Sequence, residues 1–188
     1  MYPLNGVLSP ANAITSLRLV GAPFLYWAVL ASRDDLGTSW IAFVLGFALA
    51  VTDYLDGPVA RRSKSVSRGG AFLDPLADKF VVIGVALCLV SVDRLHWIPV
   101  AIVIIREVGI SLLRIYWAKH GLSMPARRSA KHKATVQGAA LLLAVMPTMK
   151  PHGEFVHGFW WAAVLITLIS GYQYIVDGSA ATRPIGNR

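Results

Sequence analysis

Charged side chains and cysteine are both scarce in this sequence, and each scarcity excludes a class of protein. Lys, Arg, Asp and Glu make up 15% of the 188 residues, whereas a soluble domain usually carries about 25%. Hydrophobic residues reach 55% and the mean hydropathy is +0.56, so the composition predicts an integral membrane protein. The single cysteine, Cys88, excludes a framework of intramolecular disulfides.

Lys and Arg are absent from residues 1–10, so we expect no secretory signal there. No internal repeat, low-complexity tract or linker interrupts the chain, which predicts a single domain over residues 1–188. Six apolar stretches have about the 20 residues that a membrane-spanning helix needs, and they cover residues 12–32, 39–61, 70–92, 97–118, 132–149 and 157–177. The predicted fold is an all-α integral membrane protein with six transmembrane helices, the fifth of which Pro147 ends early.

The basic residues predict how these helices are oriented. Lys and Arg concentrate in residues 61–68, 119–133 and 183–188, and few fall on the opposite side. Because cytoplasmic loops carry an excess of Lys and Arg, both termini are predicted to lie on the cytoplasmic side of a bacterial inner membrane. Much of the net charge of +8 is then a topology signal that also attracts anionic lipid. No nucleic-acid partner is expected.

Tryptophans near the predicted helix ends indicate an aromatic belt at the membrane interfaces. The outer helix ends carry Trp27, Trp40, Trp97, Trp160 and Trp161, and an inner end carries Trp117.

Four aspartates lie inside or at the edges of the second and third apolar stretches. Asp53 and Asp56 are spaced i, i+3, and Asp74 and Asp78 are spaced i, i+4, so each pair shares one helix face. The basic turn between the pairs folds the third helix back against the second, at their cytoplasmic ends. Each carboxylate at the centre of a membrane helix costs roughly 2.5–3.5 kcal/mol, and less near the interface. Two divalent cations would neutralise the four.

The chemistry of these residues suits phosphoryl transfer. Carboxylates without His or Cys favour Mg²⁺ or Mn²⁺, and two such ions clamp the attacking and leaving oxygens of a phosphoryl group. Gly57 and Ala60 follow the first aspartate pair and Gly70 precedes the second, which leaves room for a nucleotide beside the helices. Arg61 can neutralise a phosphate, and Pro58 is predicted to kink the second helix.

The complete spacing is D-x-x-D-G-x-x-A-R, then eight residues, then G-x-x-x-D-x-x-x-D. It resembles the signature of the CDP-alcohol phosphotransferase family at every fixed position. The resemblance implies six transmembrane helices, a homodimer, and transfer of a phosphatidyl group from CDP-diacylglycerol to an alcohol with release of CMP. It also implies that the four aspartates bind two Mg²⁺ or Mn²⁺ ions, with Asp78 as general base. The residues implied at the CDP site are Gly57, Ala60, Arg61 and Gly70.

Two further patterns resemble the members of that family that act on glycerol phosphate. Asn12, Thr15 and Arg18 follow the N-x-x-T-x-x-R opening of the phosphatidylglycerophosphate synthase branch, which implies that Asn12 and Thr15 contact CDP-diacylglycerol. Arg106-Glu107 through Arg114 is similar to an R-E pattern in the same branch. The alternatives are a helix cap followed by an interfacial arginine, and a structural pairing of Arg106 with a neighbouring helix.

The predicted acceptor site combines Arg106 and Arg114 with Lys131 and Lys133, cations that can hold the phosphate of an anionic alcohol. Residues 130–137 lack the Gly and the Thr of the G-K-x-K-T-x-x-Q pattern that is usual in this branch. The expected acceptor is glycerol 3-phosphate. An inositol phosphate, or phosphatidylglycerol in a cardiolipin-forming reaction, stays open as the acceptor. A divalent-cation channel or transporter that uses the aspartates as a filter is the alternative outside enzymology.

Overall fold

The computed structural model describes residues 10–63, 68–120 and 128–181, and the side chains of residues 16–52, 77, 79–120 and 133–178. Within these ranges the chain is all-helical, without a strand, as predicted. The helices are α1 Pro10–Ala31, α2 Trp40–Ser63, α3 Arg68–Ser91, α4 Trp97–Lys119, α5 Arg128–Val145 and α6 Gly153–Ala181. Short 3-10 turns, Arg33–Asp35 and Pro147–Met149, follow α1 and α5.

Local sequence explains several helix ends. Ser39 caps α2, since its Oγ accepts the backbone N–H of Ala42 at 3.0 Å, the usual N-cap contact. Pro147 ends α5 as predicted, because the residue before a proline is driven out of the helical region; Met146 is extended, at φ −73° and ψ 124°. Helix α5 therefore ends at Val145 and begins at Arg128, four residues earlier at each end than the sequence suggested. The kink at Pro58 stays a prediction.

The helices form a bundle in which α3 and α5 occupy the centre. Helix α1 packs against α2 and α3, helix α6 packs against α4 and α5, and α3 also contacts α4 and α5. Every helix contributes to one hydrophobic core, in which small residues allow close approach: Ala28, Ala42, Ala86, Ala140, Ala144 and Ala163. Gly84 of α3 lies against the ring of Tyr26, where a Cβ would collide, and the Tyr26 hydroxyl donates to the carbonyl of Phe80 at 2.5 Å.

Large apolar side chains cover the outside of α1, α2, α4 and α6. Examples on these four helices are Phe24, Trp27, Ile41, Phe47, Ile105, Leu112, Leu165 and Ile169. Among the described side chains of α5, by contrast, no large hydrophobic residue is exposed. A bundle that is apolar both inside and outside is what a lipid environment favours, because water would penalise so large an apolar surface.

One helix segment of the described chain, Gly153–Gly178, is long and apolar enough to cross a membrane. Shorter apolar segments occur in four other helices, at Ser16–Ala31, Trp40–Thr52, Lys79–Ser91 and Lys133–Val145. Helix α4 has the length, but Arg106, Glu107 and Arg114 interrupt its apolar sequence. The six-span arrangement therefore stays a prediction.

The tryptophans only partly follow the predicted belt. Trp27, Trp40, Trp97 and Trp161 are exposed, whereas Trp160 is 1% exposed and belongs to the core. Consecutive residues of a helix lie about 100° apart, and here Trp161 faces outward while Trp160 points into the core. Trp117 is also buried, and the centre of its ring lies 5.5 Å from that of Tyr174 at a tilted angle. The anchoring role predicted for Trp160 and Trp117 is therefore wrong.

A buried arginine connects the turn between α3 and α4 to the end of α5. Arg94, 3% exposed, lies between α3 and α4 and donates to three backbone carbonyls at the end of α5 and just beyond it. The acceptors are Ala144 at 3.0 Å, Met149 at 2.6 Å and Lys150 at 3.2 Å. These carbonyls lie at a helix end, where intrahelical partners run out. Burial lowers the pKa of the Arg94 guanidinium from its ordinary value.

Candidate active site

The four aspartates lie on helical backbone, two in α2 and two in α3. Asp53 and Asp56 are one turn apart in α2, and Asp74 and Asp78 are one turn apart in α3. Their side chains fall outside those that the structure describes, so the metal site stays a prediction. The same holds for seven other residues predicted at the CDP-diacylglycerol and acceptor sites: Asn12, Thr15, Gly57, Ala60, Arg61, Gly70 and Lys131.

The donor set in residues 53–78 fits a hard cation. It consists of four carboxylates with no His or Cys between them, and oxygen-only ligands suit Mg²⁺ or Mn²⁺. Among the described side chains elsewhere, no group of three or more His, Cys, Asp or Glu could hold a metal. Within this chain, the aspartate segments of α2 and α3 are thus the place where metal binding is to be tested.

Arg106 of α4 reaches α6, so it makes the pairing with a neighbouring helix that the sequence analysis gave as an alternative. Its Nη1 donates to Glu107 Oε1 at 2.8 Å, and its Nη2 donates to the hydroxyl of Ser170 at 2.6 Å. Gly171 makes room for it, since a Cβ there would lie 3.0 Å from the Arg106 Nε. That buried Nε–H has no hydrogen-bond partner among the described residues, so the guanidinium keeps an unused donor.

Glu107 is the carboxylate at the centre of this cluster. It is 7% exposed, and its Oε1 accepts from both Arg106 of α4 and Lys133 of α5. A buried carboxylate of this kind needs its partners, because breaking a buried ion pair costs about 3–5 kcal/mol. Glu107 therefore positions two of the cations predicted to bind the acceptor.

The same face of α4 carries two more polar residues, spaced i+4 and i+7 from Glu107. Ser111 donates its hydroxyl proton to the Glu107 carbonyl at 2.6 Å and accepts a hydrogen bond from Lys79 of α3. The Arg114 guanidinium lies 5.6 Å from the centre of the Tyr174 ring of α6, within the range of a cation–π contact. Cations from α3, α4 and α5 thus converge on one region.

Among the side chains that the structure describes, positive charge exceeds negative charge in this cluster. Its members are Lys79, Arg106, Glu107, Arg114 and Lys133, four cations and one carboxylate. Lys79 is repelled by Arg106 and Arg114, and Lys133 is repelled by Arg106 and Lys79. Like charges this close in a half-buried region favour binding of an anion, and phosphate and carboxylate groups both accept charged hydrogen bonds from Arg and Lys.

Sequence reasoning missed several participants of the cluster. It gave no functional role to Lys79, Ser111 or Glu107, although Lys79 directly follows Asp78 and the 107/111/114 spacing marks one helix face. Ser170 and Tyr174 carried no signal, because they are single polar residues in an apolar helix. Arg18 of α1 is 2% exposed and faces the bundle interior, which argues against an interfacial arginine.

Comparisons with known proteins agree with the motif. A family model described as CDP-alcohol phosphatidyltransferase matches residues 8–169, a range that includes the aspartates and the cation cluster. The chain is 32% identical over 177 residues to the "Probable phosphatidylglycerophosphate synthase" of Mycobacterium tuberculosis, covering 94% of this chain and 83% of that protein.

Two further relatives carry the name CDP-diacylglycerol–glycerol-3-phosphate 3-phosphatidyltransferase. The protein of Rickettsia typhi is 34% identical over 173 residues, which cover 87% of this chain and 93% of that protein. The protein of Bacillus subtilis is 32% identical over 157 residues, which cover 81% of each. The family resemblance predicted from the aspartate motif is confirmed: the chain belongs to the CDP-alcohol phosphatidyltransferase family.

Proposed function

We propose that this chain transfers the phosphatidyl group of CDP-diacylglycerol to glycerol 3-phosphate, giving phosphatidylglycerophosphate and CMP. The observation that carries the acceptor assignment is a cluster of four cations, Lys79, Arg106, Arg114 and Lys133, in which Glu107 is the one carboxylate among the described side chains. An acceptor with a phosphate dianion compensates this excess of positive charge. The names of the relatives from three bacteria support the same reaction.

The setting we propose is the bacterial inner membrane, with six spans, cytoplasmic termini and a homodimer. The exposed apolar faces of α1, α2, α4 and α6 support insertion in lipid. The basic residues between α2 and α3 and between α4 and α5 support a cytoplasmic location for those turns. The active site then opens toward the leaflet in which CDP-diacylglycerol lies.

The metal-binding residues in this proposal are Asp53, Asp56, Asp74 and Asp78. Two Mg²⁺ or Mn²⁺ ions held there would supply charge neutralisation for the attacking and leaving oxygens. The nucleotide would lie beside Gly57, Ala60, Arg61 and Gly70, where small residues leave space and Arg61 offers a cation to a phosphate. Asn12 and Thr15 are proposed to contact the CDP-diacylglycerol from α1.

The proposed reaction is one displacement at phosphorus. Asp78 accepts the proton of the glycerol 3-phosphate hydroxyl as its oxygen attacks the phosphorus that carries diacylglycerol. A new P–O bond forms to the acceptor, and the P–O bond to the CMP phosphate breaks. CMP leaves with the bonding pair, and Arg61 compensates part of its charge. Arg106, Arg114, Lys131 and Lys133 hold the acceptor phosphate away from the reacting phosphorus.

The cations retain hydrogen-bond donors for that task although two of them pair with Glu107. A guanidinium has five N–H donors and an ammonium has three. Arg106 uses one N–H of Nη1 on Glu107 and one N–H of Nη2 on Ser170, and each of these nitrogens carries a second N–H. Glu107 thereby fixes the cations without using all their donors.

The experiment that tests this proposal identifies the product. Purified protein in detergent with Mg²⁺ and CDP-diacylglycerol receives glycerol 3-phosphate, inositol 1-phosphate or phosphatidylglycerol, and the lipid product is read by mass spectrometry. We expect phosphatidylglycerophosphate from the first, and at least about a thousandfold less of it with Asp78→Asn. Asp34→Asn, an exposed aspartate of the outer 3-10 turn, is the matched control and should keep wild-type activity.

Each other outcome has a definite meaning. Product only from inositol 1-phosphate or phosphatidylglycerol would contradict glycerol 3-phosphate as the acceptor and leave the phosphatidyl transfer intact. No product from any acceptor, together with metal flux into liposomes in the absence of nucleotide, would replace the enzyme by the transport alternative.

A further inference from the structure

Lys79 occupies a position that links the aspartate helix to the cation cluster. It directly follows Asp78 in α3, and its half-buried side chain crosses to α4, where its Nζ donates to the Ser111 hydroxyl. Consecutive helix residues point about 100° apart. One residue of this pair can therefore serve the reacting centre while the next reaches the face of α4 that carries Glu107 and Arg114.

We propose that Lys79 is an acceptor-binding residue whose ammonium contacts the acceptor's phosphate and sets its distance from Asp78. The inference rests on the proposed function for the identity of the acceptor, but not for the presence of a phosphate site. It adds a third helix, α3, to an acceptor site that the sequence placed on α4 and α5 alone.

The hydrogen bonds around Ser111 support this role. The Ser111 hydroxyl has one proton, which it donates to the Glu107 carbonyl, so its lone pairs are left to accept from Lys79. Ser111 thereby aims the ammonium without neutralising it. An ammonium has three N–H donors, and among the described residues Ser111 is the hydrogen-bond partner that the structure gives Lys79.

The charges around Lys79 also favour an anionic ligand. Lys79 is attracted by Glu107 and repelled by Arg106 and Arg114. The Glu107 carboxylate is already shared by Arg106 and Lys133, which hold the same oxygen. A phosphate dianion between α3, α4 and α5 would relieve this repulsion, whereas a purely structural lysine would be better placed away from three other cations.

A binding measurement tests the inference without catalysis. Titration calorimetry of the full chain in detergent, with glycerol 3-phosphate, inositol 1-phosphate and inorganic phosphate as probes, gives the Kd of each variant. We expect Lys79→Gln to raise the Kd of the phosphate ester that binds by about tenfold to a hundredfold, the loss typical of one charged hydrogen bond. Lys79→Arg should stay within about threefold of wild type because it keeps the charge.

Two matched variants distinguish direct contact of Lys79 with the ligand from a structural role of Lys79. Ser111→Ala removes the partner of Lys79 but keeps the ammonium, so its Kd should rise much less than that of Lys79→Gln. Lys150→Gln removes one cation from the outer end, where Lys150 pairs with the exposed Asp35, and should leave the Kd unchanged. Thermal unfolding of each variant shows that the protein is folded.

The inference is overturned if Lys79→Gln binds like wild type, if Lys79→Gln and Ser111→Ala weaken binding equally, or if wild type binds none of the three probes. The experiments distinguish failure of this inference from failure of the proposed function. If CMP release requires inositol 1-phosphate and Lys79→Gln still weakens binding of that ester, the acceptor assignment is wrong and the role of Lys79 stands.

Discussion

Two arginines of the same helix bundle, the buried Arg94 and the partly buried Arg106, are satisfied in opposite ways. Arg94, between α3 and α4, donates to three neutral backbone carbonyls, and its charge is spread over helix-end dipoles. Arg106 lies among Lys79, Arg114 and Lys133, and it shares the Glu107 carboxylate with Lys133. The first arrangement is complete in itself. The second has, among the described side chains, a surplus of positive charge that an anionic ligand can balance.

The contrast separates an arginine that holds the fold from an arginine that belongs to a site. The sequence predicted Arg106 at the acceptor site and left a structural pairing of it open, and the hydrogen bonds in the structure show how it differs from Arg94. Arg94 donates each of its hydrogen bonds to a backbone carbonyl. Arg106 donates to two side chains and has further N–H groups that can bind a ligand. Variants of Arg94 should therefore change stability, whereas variants of the cation cluster should change substrate binding.

The largest effect on stability is expected at Glu107. Glu107→Gln leaves Arg106 and Lys133 without their shared carboxylate, and the free energy of unfolding should fall by about 3 kcal/mol or more. Because a phosphate can replace the missing charge, glycerol 3-phosphate should raise the Tm of Glu107→Gln more than that of wild type. Equal Tm values for the two proteins without ligand would contradict the central role of Glu107.

Arg94→Ala should act on stability alone. It removes three hydrogen bonds from a charged donor and leaves the carbonyls at the end of α5 without that partner, so unfolding should become easier by about 2 kcal/mol. The KM values for both substrates should remain at wild-type levels in the folded fraction. Arg33→Ala, at an exposed arginine of the same end with a weak 3.4 Å contact to the Ser91 carbonyl, is the matched control. A changed KM in Arg94→Ala would contradict a purely structural role for Arg94.

Arg114→Ala should show the opposite pattern. Loss of this cation from the acceptor site should raise the KM for glycerol 3-phosphate about tenfold, or about 1.4 kcal/mol, while the KM for CDP-diacylglycerol changes less than about twofold. Lys119→Ala, in the last turn of the same helix, serves as the control for charge. Equal increases in both KM values would remove Arg114 from the acceptor site.

The smallest effect belongs to the exposed pair between Lys150 and Asp35, whose charged atoms are 2.5 Å apart. Exposed ion pairs contribute about 0–1 kcal/mol, so Asp35→Asn should shift the Tm little and leave the turnover unchanged. A loss as large as that of Arg94→Ala would show that this outer contact matters more than its exposure suggests.

Much of the fold was predictable because each apolar stretch is long and ends at a turn residue. The sequence predicted six helices in nearly the observed positions, and Pro147 marked the end of α5 by a local steric rule. It could not predict which face of a helix is buried where both faces are apolar. Trp160 and Trp117 were misplaced for that reason.

The candidate site was predictable in its chemistry but not in its connections. The aspartate motif is a local pattern of fixed spacing, so the sequence alone was enough to indicate the family. Glu107 and Lys79 act through contacts between α3, α4 and α5, residues far apart in the chain, and no spacing within one helix reveals such contacts. Only the packing of α4 against its neighbours shows that Arg106 and Lys133 share one carboxylate oxygen.

The most direct test of this account compares two acceptors that share a hydroxyl and differ in the phosphate. CMP release from CDP-diacylglycerol is measured with glycerol 3-phosphate and with glycerol, in the wild-type chain with Mg²⁺. If the cation cluster holds the acceptor phosphate, kcat/KM should be at least about a thousandfold higher for glycerol 3-phosphate, the sum of several charged hydrogen bonds. Similar values for the two acceptors would contradict the assignment of the Lys79, Arg106, Arg114 and Lys133 cluster to the acceptor.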